Sequence, residues 1–140
     1  MREEGQELKI VMTWEAIYDI TDIAEYIELW FGVDWADQFQ MQIQDSIQEL
    51  SYSAGMMGMT YIQYRGYDIY EKIFNPFIIF YIVKDGMVHI LRVLRHERDW
   101  ENILKGQLEY TYLDDMPYKG KENPNDLETD CWGSFVLAQI

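Results

Sequence analysis

Phe77-Ile78-Ile79-Phe80-Tyr81-Ile82-Val83 is an unbroken apolar run, and Lys84-Asp85-Gly86 separates it from Met87-Val88-His89-Ile90-Leu91-Arg92-Val93-Leu94-Arg95. Seven apolar residues rich in β-branched and aromatic side chains are too few to span a membrane, and they suit a strand buried on both faces. Asp-Gly accepts the positive φ of a tight hairpin turn. The stretch therefore predicts two paired central strands, and the rest of the chain has to cover them.

Upstream, Asp68–Phe74 and Thr60–Tyr64 read as strands broken at Gly66, with Asn75-Pro76 as a turn. Ser51–Gly58, rich in Gly, Ser and Met, reads as a loop, and Met56-Met57-Gly58-Met59 as loop packing rather than a cofactor box. Before it lie two apolar stripes at three- and four-residue steps. Ala36, Phe39, Ile43, Ile47 and Leu50 form one, and Ala16, Ile20, Ile23, Ala24 and Ile27 the other. Gly32 separates them, and Thr13 and Asp34 are the expected helix caps. Leu8, Ile10 and Met12 alternate as a first strand, and Asp99–Leu104 suits one closing helical turn. The expected class is α+β in the order β-α-α-β-β-β, a helical hairpin packed on one face of a mostly antiparallel sheet.

From Gly106 the character changes. Gln107–Leu113 alternates like a strand, 114–130 is acidic and turn-like with Pro117 and Pro124, and Cys131–Ile140 is apolar again. The organisation read from this is a domain over residues 1–105 and an acidic C-terminal extension over 106–140.

A chain of 140 residues fits one domain with a real core, and 16% aromatic residues argue against disorder. The net charge of -14 argues against nonspecific attraction to a phosphate backbone. That charge is uneven: residues 1–50 carry a net of -10, residues 51–105 a net of +1 and residues 106–140 a net of -5. Any anion-facing surface is therefore expected in the middle block. The lone Cys131 fits a reducing compartment. Met1–Glu7 is acidic, unlike a signal peptide, and no window is long and apolar enough for a membrane span. A cytoplasmic location without membrane partners is expected.

The residues with the most chemistry are Arg92, Arg95, His96 and Arg98, with Arg65 and Lys72 as possible companions on the same face. Arginine forks match phosphate or carboxylate geometry, and a neighbouring histidine can move a proton. The competing reading pairs Arg92 and Arg98 with Glu97, Asp99 or the helix acids. His89, between Val88 and Ile90, reads as structural, and Glu71 as solvated surface. Two histidines and one cysteine, far apart, do not form a metal site, and no phosphate loop or hydrolase elbow is present. No metal or cofactor is expected.

Three segments resemble the RelE/ParE-type toxins of bacterial toxin–antitoxin systems. They are Glu15-Ala16 with Asp19-Ile20, Ile23 and Tyr26-Ile27; the run Phe77–Val83 with its Asp-Gly turn; and Ile90-Leu91-Arg92-Val93-Leu94-Arg95-His96-Glu97-Arg98-Asp99. With the element order, the resemblance covers about residues 7 to 104. It implies growth inhibition, by messenger RNA cleavage on the ribosome or by action on DNA gyrase, and a cognate antitoxin as partner. It leaves a homodimer open. As a ribonuclease, Arg92 and Arg95 would stabilise phosphate charge and His96 would act as acid or base. As a gyrase binder, Arg65, Lys72, Arg92, Arg95, His96 and Arg98 would be contacts only. The sequence departs from the RNA-cleaving pattern where Pro76, Phe77, Ile78 and Ile82 stand in place of basic residues. It leaves open whether the chain is an enzyme. A different function also fits the acidic helices, a non-catalytic inhibitor whose carboxylates imitate nucleic acid.

Overall fold

A computed structural model describes residues 7–112 of the chain. The elements are β1 (Lys9–Met12), α1 (Trp14–Phe31), α2 (Val33–Gln48), the single turn α3 (Leu50–Ser53) and a 3₁₀ turn at Ala54–Met56. β2 (Gly58–Tyr64), β3 (Tyr67–Phe74), β4 (Phe77–Lys84), β5 (Met87–Arg95) and α4 (Trp100–Gly106) follow. One five-stranded sheet has the order β1-β5-β4-β3-β2, antiparallel except for the parallel β1–β5 pair.

The apolar run at Phe77 is buried on both faces, as its composition requires. Phe77, Ile79 and Tyr81 face the helical hairpin, where Ile20, Ile43 and Ile47 are fully buried. Ile78, Phe80 and Ile82 face the other side, under Leu104 of α4 and Tyr110. Lys84-Asp85-Gly86 makes the expected turn, with φ of 55° at Asp85 and 75° at Gly86. Among the described residues no helix is long and apolar enough to cross a membrane.

Thr13 caps α1, its hydroxyl accepting from Ala16 N–H at 3.0 Å and donating to Leu91 O at 2.9 Å. The expected cap at Asp34 is not used. Gly32, at φ 101°, turns the chain sharply enough for α2 to begin at Val33, leaving Asp34 in the first turn without a capping bond. The expected loop over Ser51–Gly58 is instead largely helical turns. Tertiary bonds hold it, from Leu8 N–H to Ser51 O and from the Tyr81 hydroxyl to Ala54 O. Gln107–Tyr112 does not form the expected strand. It makes a single bridge, Thr13 to Tyr112, and lies across the second sheet face as a strap. Residues 113–140, which include the apolar end Cys131–Ile140, lie outside the described residues.

Candidate functional site

The basic residues of the middle block are placed by strand parity and by one bulge. Phe80 pairs with Arg92 while Tyr81 pairs with Ile90, so Leu91 is an extra residue in β5. Cross-strand partners share a face, and a bulge moves the residues beyond it to the opposite one. Arg92 therefore joins Phe80 on the second face. Arg95, opposite Phe77, lies on the helical face.

Arg92 is locked. Its guanidinium forks onto Asp19 of α1, Nε to Oδ2 at 2.7 Å and Nη2 to Oδ1 at 2.9 Å, and both side chains are nearly buried. Asp19 Oδ2 also accepts Val93 N–H at 3.0 Å. That bond serves the edge of β5 beyond the point where the short β1 ends. Arg92 Nη1 reaches Gln107 Oε1 of the strap at 3.3 Å. Burial pushes the Asp19 carboxyl up from the usual range, against the pull of Arg92, while the hydrogen bonds that Arg92 donates to Asp19 hold the guanidinium above its ordinary value. The fork and the backbone donor together favour the charged pair.

The other candidates are dispersed. Arg95 forks onto Glu97, both bonds at 3.0 Å, and its guanidinium stands 5.7 Å from the Phe77 ring. Lys72 turns toward the helices, donating to Ser46 O at 2.6 Å and Glu49 at 2.8 Å. Arg65, in the β2–β3 turn, lies loosely by Glu109 at 3.5 Å, with both side chains largely exposed. His96 and Arg98 are exposed in the turn after β5, where His96 N–H donates to Pro76 O. Lys72 and Arg95 thus belong to the helical face and Arg65 and Arg92 to the other, so the structure does not bring the six together. Among the described residues no group of three metal-ligating side chains assembles.

His89 lies in the second face, its Nδ1 2.9 Å from the Tyr112 hydroxyl, and burial lowers its pKa. A folded value below the unfolded one, about 6.5, means the unfolded chain takes up the proton first. Stability should be full above about pH 6.5 and fall as pH drops through that value toward the folded pKa. Urea midpoints between pH 7.5 and 5 should show this decline, and His89→Leu should flatten it. An unchanged slope in the variant would assign the decline to other groups.

Beside Arg95 an apolar groove opens between the hairpin and the β3–β4 turn. Two adjoining hollows of about 580 and 540 Å³ share Ile27, Phe31, Pro76 and Phe77. Arg95 and Asp22 border one, and Trp35, Gln38 and Asn75 the other. The hairpin tip above exposes Leu29, Trp30, Phe31 and Trp35, each more than 60% accessible. Contiguous exposed apolar surface of this kind marks interaction sites. The periodicity argument missed it because Tyr26, Leu29, Trp30 and Trp35 fall off the buried stripes. Their number within ten residues was the available signal.

Comparison with known proteins adds the following. The family model described as "ParE toxin of type II toxin-antitoxin system, parDE" matches residues 10–100. A solved structure described as the chromosomal ParDE toxin–antitoxin system from P. aeruginosa superposes with a TM-score of 0.54 at 20% identity. The alignment covers 64% of this chain and 97% of that one. At that identity the likeness is one of fold. No curated protein matches.

Proposed function

The chain belongs to the ParE toxin family of type II toxin–antitoxin systems, and we propose that it arrests growth by binding a protein target of the gyrase type rather than by cleaving RNA. The observation that carries this reading is the division of its basic residues. Phosphoryl chemistry needs a proton-transfer group within hydrogen-bond reach of the nucleophile and cations aimed at one phosphate. Here Arg92 is consumed by Asp19, Arg95 lies on the opposite face, and His96 is exposed in a turn. The apolar tip and groove next to Arg95 instead suit protein recognition, where exposed aromatic anchors and an arginine carry most of the affinity. A cognate antitoxin is the second partner this reading implies. For the alternative of nucleic-acid mimicry, Glu15 and Asp19 are removed from any acidic surface by their internal contacts.

Induced expression in bacteria tests the reading. Growth should stop with ribosome-bound message intact, and purified protein should inhibit DNA supercoiling by gyrase. Arg95→Ala should weaken target binding by about tenfold or more while leaving the melting temperature near that of the parent, since its ion pair is exposed. Site-specific cleavage of message that disappears in Arg95→Ala would sink the proposal.

A further inference from the structure

The groove between the hairpin and the β3–β4 turn has an occupant of the right chemistry within the same chain. Its walls are Ile23, Ile27, Phe31, Phe74 and Phe77, and Arg95 stands at its rim. The chain continues for 28 residues beyond Tyr112. The last ten, Cys131–Ile140, contain no charged side chain, and Trp132, Phe135, Val136 and Ile140 recur at three- and four-residue steps. Just before them stand Asp126, Glu128 and Asp130, the charge complement of Arg98, which is exposed in the turn three residues after Arg95.

Reach matches as well. Tyr112 is bridged to Thr13, at the start of α1. Ile27 lies fourteen residues farther along that helix, about 21 Å at 1.5 Å per residue. Eighteen residues, 113–130, can reach at most about 60 Å at about 3.3 Å per residue, so the gap lies within the length of the intervening chain. A tether long enough to span the gap raises the effective concentration of the segment it carries, so contacts too weak for a separate peptide suffice in cis.

We propose that residues 131–140 dock in cis in this groove, covering its apolar walls and setting the acids of 126–130 beside Arg98. A ligand for the groove then has to displace residues 131–140. The inference stands on the groove and the chain, whichever target the protein has.

Cys131, the only cysteine, provides the test in the full-length protein. A second cysteine is placed in the groove by Gln38→Cys or, as control, on the far edge strand by Tyr61→Cys, where the side chain is 87% exposed. Under oxidised glutathione, Gln38→Cys should form an intramolecular disulfide at least tenfold faster than Tyr61→Cys, at a rate independent of protein concentration. Adding Trp132→Asp and Phe135→Asp should reduce that rate to the control's. Equal rates at the two positions would overturn the proposal. So would crosslinks that join two chains, which would assign the groove to a second copy. Neither measurement reads target binding, so this inference and the proposed function fail separately.

Discussion

Arg92→Ala should destabilise the protein by about 3 kcal/mol, toward the lower end of the cost of leaving one partner of a buried ion pair without the other, since both side chains keep a little exposure. Against a typical total of about 5–15 kcal/mol this is a large share. Asp19→Ala should cost as much or more, because it strands both the guanidinium and the Val93 N–H. Arg92→Lys should recover little, since an ammonium cannot reproduce the fork. The pair Asp19→Leu with Arg92→Met should be milder than either alanine variant, because no buried charge remains. It should still lose about 1–3 kcal/mol through the unsatisfied Val93 amide. Urea unfolding of the five proteins measures the series. The outcome also decides a functional question. An Arg92→Ala protein that unfolds like the parent yet no longer arrests growth would make Arg92 a target contact, contrary to the structural role its bonds indicate.

What could be read from the sequence was set by local pattern. The run from Phe77, its Asp-Gly turn and the two helical stripes act through periodicity and turn chemistry, and each formed the expected element. Grouping Arg92 with Arg95 on one face overlooked parity, which sends two residues three apart in one strand to opposite faces. The bulge at Leu91 was not legible, because it arises from pairing with β4 and not from any local signal. It decides which face each arginine takes, and hence that Asp19 can capture Arg92 beside the end of β1. The competing reading, arginines paired with helix acids, described Arg92, and Glu97 took Arg95. The turns over Leu50–Met56 were missed for a related reason: bonds from Leu8 and Tyr81 outweigh a composition that favours a loop. The aromatic hairpin tip was visible as residues but not as a surface.

The strap Gln107–Tyr112 should prove integral to the domain, and Tyr110 is the residue that shows it. The residue is 7% exposed, and its ring packs edge-on against Tyr64, with centroids 4.9 Å apart. Around it, Thr111 donates twice to Glu15 and the Tyr110 N–H donates to the Tyr64 hydroxyl. Tyr110→Ala removes a buried aromatic from the second core and should cost about 3–5 kcal/mol, in the range for aromatic truncation. The hydroxyl behaves differently. It is buried without a hydrogen-bond partner among the described residues, and burial raises its pKa. An unpaired buried hydroxyl carries a desolvation cost, so Tyr110→Phe should be neutral or stabilising by about 1 kcal/mol. Chemical denaturation with near-ultraviolet circular dichroism distinguishes the outcomes. A large loss in Tyr110→Phe would mean that the hydroxyl makes a bond essential to the strap. A negligible loss in Tyr110→Ala would mean that the strap rests on the sheet without supporting it, and the second face would then be available to a partner.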